Sequence, residues 1–155
     1  FDTMYREERI ELEVVPQGTL AERIRAAGAG IGGFYTRTTI GTPLAEGKER
    51  REYNGEEYVL EDPLNADIAL VKADLADRWG NLTYRLAARN FGPIMCTAAK
   101  TTIVQARRVV PLGDIPPEQV MTPGIFVDRI VEVPNPGSER TMIHEGIRYK
   151  AGDSA

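Results

Sequence analysis

Ile68-Ala-Leu-Val-Lys-Ala73, a nearly unbroken apolar run closed by Asp67 and Asp74, constrains the fold most. A run this short and β-prone predicts a central strand covered on both faces, which requires layers above and below a sheet. Other segments supply the layers. Ile10–Val15 alternates apolar and acidic residues and predicts a strand stopped by Pro16. Thr19 and Glu22 form a capping-box pattern, Leu20, Ile24 and Ala27 share a helical face, and Gly28 supplies a C-terminal stop.

Asn54-Gly55 between Arg50–Tyr53 and Glu57–Leu60 predicts a two-residue hairpin with a type I′ turn. A short strand at Leu82–Arg85, a helix from Pro93 to Lys100 and strands at Thr101–Gln105 and Ile125–Val133 follow. Together these predict an α/β layered domain with a mixed, largely parallel sheet over residues 1–133. Residues 134–155, opening on Pro134-Asn-Pro-Gly-Ser138, read as a tail or surface arm.

Composition narrows the partners. A net charge of −4 and a pI near 5.1 argue against nucleic acid, whose phosphates demand a basic surface. No apolar run approaches the roughly 20 residues a spanning helix needs, so no membrane is expected. A single cysteine, Cys96, fits a reducing compartment, and the cytoplasm is the expected location.

Several tempting patterns fail on context. Gly28-x-Gly30-x-x-Gly33 has the letters of a dinucleotide fingerprint, but it follows a helix instead of opening one. Gly41 and Gly47-Lys48 are separated by five residues instead of four, and Glu49 stands where a phosphate loop needs Ser or Thr. The only histidine, His144, and the only serines, Ser138 and Ser154, lie in the tail, which argues against a serine hydrolase. One cysteine and one histidine make a metal site unexpected, and Cys96 reads as a core residue. Two features stay open between a structural turn and a site. They are Gln17, where a strand gives way to a helix, and Asp77-Arg-Trp-Gly-Asn81, whose Trp79 could be a packing anchor.

Long blocks decide more. Ile10-Glu-Leu-Glu-Val-Val-Pro-Gln-Gly-Thr-Leu-Ala-Glu-Arg-Ile-Arg-Ala-Ala-Gly28, Leu44-Ala-Glu-Gly-Lys-Glu49, Asp77-Arg-Trp-Gly-Asn-Leu-Thr-Tyr-Arg85, Ala88-Arg-Asn-Phe-Gly-Pro-Ile-Met95, Ala98-Ala-Lys-Thr101 and Thr122-Pro-Gly-Ile-Phe126 stand in this order. From Phe1 to about Val133 the chain resembles the A subunits of the 3-oxoacid CoA-transferase family, nearest those of the 3-oxoadipate type.

The resemblance implies a CoA-transferase α/β fold, with an N-terminal portion of such a polypeptide absent from this sequence. The implied partner is a B subunit, in an A₂B₂ heterotetramer, and the nucleophilic glutamate belongs to that partner. CoA would move from succinyl-CoA to a 3-oxo acid, with 3-oxoadipate preferred and acetoacetate or another short-chain acid as the alternative. A non-catalytic binding module descended from this family is the other reading. The acyl-CoA thioester and small carboxylic acids would be substrates, with no tightly bound cofactor and no metal.

Gln17 matches the family glutamine that donates a hydrogen bond to the oxyanion. Gly30, Gly33, Phe34, Tyr35, Arg37, Gly41 and Thr42 match the loop bordering the acyl pocket. Two positions depart from that loop: Arg37 replaces a proline and Thr39 a glycine. Arg37 is thereby a candidate partner for a substrate carboxylate.

Overall fold

The structure, a computed structural model, describes residues 1–134 and divides into two compact units, one from Phe1 to Asn65 and one from Ala66 onward. The expected tail, with Ser138, His144 and Ser154, lies outside the described residues.

The first unit opens with a short helix, α1 (Asp2–Arg6), and a second helix, α2 (Gln17–Gly28). Three strands follow, β1 (Phe34–Thr36), β2 (Arg50–Tyr53) and β3 (Glu56–Glu61), in an antiparallel sheet of order β1-β3-β2. The expected hairpin is present: Tyr53 pairs with Glu56 across a turn in which Asn54 and Gly55 both have positive φ, 52° and 78°, as a type I′ turn requires.

The expected strand at Ile10–Val15 is not formed. Its alternation provides one apolar face, but a strand also needs a hydrogen-bonded neighbour, and no described strand pairs with it. The helix also begins earlier than the capping box predicts. Pro16 is the N-cap, pre-set at φ −58° and ψ 140°, and its carbonyl accepts the Leu20 N–H at 2.9 Å. Thr19 therefore sits inside the first turn, where its buried hydroxyl has no described partner.

The second unit carries β4 (Ala66–Asp77), β5 (Leu82–Thr83), helix α3 (Gly92–Ala98), β6 (Ala99–Val110) and β7 (Arg129–Glu132). Sheet order is β5-β4-β6-β7. The β4–β6 and β6–β7 pairs are parallel and β4–β5 is antiparallel, so the sheet is mixed and largely parallel, as expected. Ala69, Val71, Ala73, Val104 and Ala106 form the core with Cys96 of α3 and Leu82 of β5.

Double coverage of β4 is the correction here. Its residues alternate between buried and exposed, with Ile68 58% and Leu70 71% exposed, because the core built with α3 and β5 lies on the face of Ala69, Val71 and Ala73. α3 ends at Ala98, two residues before the predicted stop, and the chain passes directly into β6. The last strand starts at Arg129 rather than Ile125, because Pro123 caps a 3-10 turn over Gly124–Phe126.

Candidate functional site

The first turn of α2 carries the strongest donor arrangement among the sequence-predicted residues. A helix leaves its first backbone N–H groups without internal partners, and here no side chain caps them. Gln17 is the first helical residue, exposed, with open space beside Gly18. Its carboxamide and the free N–H groups of this turn are neutral donors at the positive end of a helix dipole, suited to a developing oxyanion.

Arg23 fixes the helix in place. Its Nε donates to the Asp62 carbonyl at 2.8 Å, its Nη1 reaches Glu13 at 2.6 Å, and its own carbonyl accepts the Leu64 N–H at 2.9 Å. The helix is thus tied to the chain leaving β3.

The predicted loop lies beyond the other end of α2. Gly30 takes a φ of 68°, and a Cβ on Gly33 would press within 3.1 Å of the Leu60 side chain. Phe34, Tyr35 and Thr36 form β1 against Glu61, Leu60 and Val59. Tyr35 donates to Glu49, and Arg51 lies over its ring with 5.4 Å to the centroid. The hydrogen bond to Glu49 raises the phenol pKa above its ordinary value, so this tyrosine stays neutral.

Arg37 pairs with Glu56 of the hairpin at 2.7 Å, both half-exposed. Its guanidinium is thus shared with a protein carboxylate. Thr39, where the resemblance expects glycine, is 1% exposed, and its hydroxyl has no described partner. Thr42 closes the turn: its hydroxyl donates to the Thr39 carbonyl at 2.8 Å and accepts the Leu44 N–H at 3.3 Å, while Gly41 takes a φ of 79°.

Gln17 and Gly30 are separated by a helix of 12 residues, which by the helical rise keeps them roughly 18 Å apart. No hydrogen bond among the described residues joins Gln17 to the loop, so the structure builds two sets of groups instead of one contact set. The sequence reading missed the uncapped donors beside Gln17. Pro16 followed by Gly18 was the available signal, since proline at an N-cap offers no side-chain acceptor.

The Asp77–Asn81 segment is a structural turn. The buried Asp77 carboxylate accepts the N–H groups of Trp79 at 2.9 Å and Asn81 at 3.1 Å, and the Asn81 Nδ2 at 2.7 Å. Trp79 itself is 65% exposed, so it is not the packing anchor that the sequence allowed.

Cys96 is 2% exposed, and burial raises its thiol pKa, which leaves it a poor nucleophile. Among the described residues no group of three His, Cys, Asp or Glu could hold a metal ion, and no helix is long and apolar enough to cross a membrane. A cavity of about 500 Å³ lies in the second unit, lined by Lys72, Ala73, Asp74, Arg85, Ala88 and Arg107; none of the predicted site residues lines it.

Comparison with known proteins adds to this geometry. Residues 1–133 match the model of the family described as coenzyme A transferase. The chain is 66% identical over 133 residues to the A subunit of the 3-oxoadipate CoA-transferase of Pseudomonas putida, covering 86% of this chain and 58% of that protein. It is 51% identical over 131 residues to the A subunit of the probable succinyl-CoA:3-ketoacid coenzyme A transferase of Bacillus subtilis, covering 84% and 55%. The chain thus spans little more than half the length of these curated relatives.

Among solved structures, glutaconate coenzyme A-transferase from Acidaminococcus fermentans superposes with a TM-score of 0.78 at 18% identity, covering 86% of this chain and 49% of that one. An acyl-CoA transferase from Escherichia coli O157:H7, in a thioester complex with CoA, gives 0.75 at 23%, covering 86% and 31%. At those identities the likeness speaks for the fold, and the fold is the expected mixed α/β type. From Phe1 to Val133, this chain belongs to the coenzyme A transferase family.

Proposed function

We propose that the chain serves as the A-subunit part of a two-subunit enzyme that moves CoA from succinyl-CoA to a 3-oxo acid, with 3-oxoadipate the preferred acceptor. The observation that carries this reading is the 66% identity over 133 residues to the A subunit of a 3-oxoadipate CoA-transferase. The placement of Gln17 at an uncapped helix N-terminus supports its share of the chemistry.

In this reading a glutamate carboxylate from the B subunit first attacks the thioester carbonyl of succinyl-CoA. The C–S bond breaks, CoA leaves as thiolate, and a mixed anhydride remains. The thiolate then attacks the glutamyl carbonyl, expelling succinate and forming a glutamyl-CoA thioester; the acceptor carboxylate reverses the sequence. Every attack places negative charge on a carbonyl oxygen. Gln17 donates to that oxygen, and one preorganised donor of this kind is worth about 3 kcal/mol in other enzymes.

Gly30, Gly33, Phe34, Tyr35, Arg37, Gly41 and Thr42 border the acyl group in the same reading. Arg37 would have to exchange Glu56 for the distal carboxylate of 3-oxoadipate, which is feasible because an exposed ion pair is worth only about 0–1 kcal/mol. The assembly is A₂B₂, cytoplasmic, with the acyl-CoA thioester as substrate and no resident cofactor.

The test is CoA transfer from succinyl-CoA to 3-oxoadipate and to acetoacetate, by this chain alone and with its B subunit. Turnover in the pair only, higher with 3-oxoadipate, is the expected result. A stable pair without turnover would favour a non-catalytic module. Faster transfer to acetoacetate would favour the 3-ketoacid type, to which the Bacillus subtilis relative belongs by name.

A further inference from the structure

The turn from Arg37 to Thr42 is pinned at its middle. Thr39 is 1% exposed, as deeply buried as the apolar residues Ala26, Ala45 and Val59 of the same unit. Around it the backbone closes in nested bonds. The Ile40 N–H donates to the Arg37 carbonyl at 3.1 Å, and the Thr39 carbonyl accepts both the N–H and the hydroxyl of Thr42, at 3.1 Å and 2.8 Å. On the entry side the Thr36 hydroxyl accepts the Thr38 N–H at 3.3 Å. These bonds are internal to the segment and set its shape, while burial of the Thr39 side chain attaches it to the unit.

The hydroxyl of Thr39 is not what holds the turn. It has no described partner, and a buried hydroxyl left unpaired is destabilising. What anchors the segment is a β-branched side chain, stiff about χ1. Thr39 is not among the residues of positive φ, so this turn requires no glycine there. Compared with the glycine that the resemblance expects, threonine removes backbone freedom and adds an anchor. A polar side chain buried at a cost in stability is the kind of local conflict that accompanies functional positions.

Two residues before the anchor stands Arg37. Its guanidinium meets Glu56 at 2.7 Å, and Glu56 is fixed in turn by pairing with Tyr53 across the Asn54-Gly55 turn. The cation is thus mounted between a pinned turn and a hairpin of defined register. A cation on a stiff mount meets a second carboxylate at one distance, whereas a cation on a mobile loop follows dicarboxylates of several lengths.

We propose that Thr39 is a positioning residue through which Arg37 selects acceptors by length: among 3-oxo dicarboxylic acids, the pinned turn favours one separation of the two carboxylates over homologues one methylene shorter or longer. The inference rests on the CoA-transfer reading and on the place of Arg37 beside the acyl group. It adds the length rule and the residue that enforces it. Thr39 touches no substrate and acts through Arg37.

The experiment uses the A–B pair with succinyl-CoA as donor. The acceptors are 3-oxoadipate, its homologues with one methylene fewer and one more, and acetoacetate, which has no second carboxylate. The wild type should prefer 3-oxoadipate over both homologues about tenfold in kcat/KM, a discrimination within reach of one charge contact. Thr39→Gly should erase most of that preference, through KM for 3-oxoadipate, and change acetoacetate transfer far less. Thr39→Val keeps the branched shape without the unpaired hydroxyl and should retain the preference. In an Arg37→Ala background, Thr39→Gly should alter it no further. Amide exchange over residues 37–42 of the chain should quicken in Thr39→Gly and not in Thr39→Val.

A merely structural Thr39 would lower transfer to every acceptor together and leave their ratios untouched, which overturns the proposal. A wild type without length preference overturns it too, as does an effect of Thr39→Gly that persists without Arg37 or a loss of preference in Thr39→Val. Unchanged exchange over 37–42 in Thr39→Gly would remove the pin itself. Transfer to none of the acceptors would overturn the CoA-transfer reading and the proposal with it, so the two failures are told apart by whether any acceptor is used.

Discussion

Asn81 ties the turn after β4 to Gly124: its Oδ1 accepts the Gly124 N–H at 3.0 Å while its Nδ2 donates to the Asp77 carboxylate at 2.7 Å. A buried carboxylate, a turn and a distant loop are thus satisfied by one side chain. Asn81→Ala would leave the Gly124 N–H and one Asp77 oxygen short of a partner, and a loss of about 1–3 kcal/mol in chemical denaturation is expected. Gly124→Ala should cost at least as much, since its Cβ would lie 2.0 Å from the Trp79 carbonyl oxygen and backbone must move.

Gln17→Ala should leave folding and assembly unchanged, because the side chain is exposed and no hydrogen bond among the described residues uses it. Transfer by the A–B pair should fall about 10²-fold in kcat. Unchanged kcat would remove Gln17 from the oxyanion site.

Lys48 and Arg37 form ion pairs of different weight. Glu61 is 2% exposed and paired with Lys48, so Lys48→Met strands a buried carboxylate and should cost roughly 2–3 kcal/mol. Arg37→Ala breaks a half-exposed pair with Glu56 and should change stability by under about 0.5 kcal/mol. Its effect should emerge instead in the ratio of kcat/KM for 3-oxoadipate over acetoacetate, lowered about tenfold, within the range a single charge contact can discriminate. An unaltered ratio would make Arg37 a surface residue only.

Tyr84 predicts a pH dependence. Burial raises its phenol pKa well above the ordinary value of 10.0, and the hydroxyl is shared with Thr122 at 2.7 Å. The folded state therefore favours the neutral phenol. Its contribution is fully present below pH 10.0 and is lost as pH rises from there toward the raised folded value, where only the unfolded chain ionises freely. Denaturation midpoints should fall above about pH 10 in the wild type and fall less steeply in Tyr84→Phe.

Local chemistry was legible where it was self-contained. Asn54-Gly55 dictates its turn through backbone sterics, and Pro93 opens α3 because a first-turn residue needs no N–H partner. The glycines of Gly28-x-Gly30-x-x-Gly33 lead from a helix to β1, which removes the dinucleotide reading on the same local grounds. Strand status was not legible at Ile10–Val15, because pairing depends on a neighbour that alternation alone does not specify. Nor was the exposure of Leu70, since an unbroken apolar run does not say which face of β4 carries the core. At the site, Gln17 stood out only by resemblance, and its roughly 18 Å separation from Gly30 follows from the length of α2, which the misplaced cap obscured.

Cys96 is the sole thiol of the chain, sealed between α3 and the sheet. The polypeptide is therefore nearly silent to maleimides while folded. One cysteine introduced on the surface, at Ile125, would carry a spin label or fluorophore with little background and report distances from this chain to a labelled polypeptide bound to it.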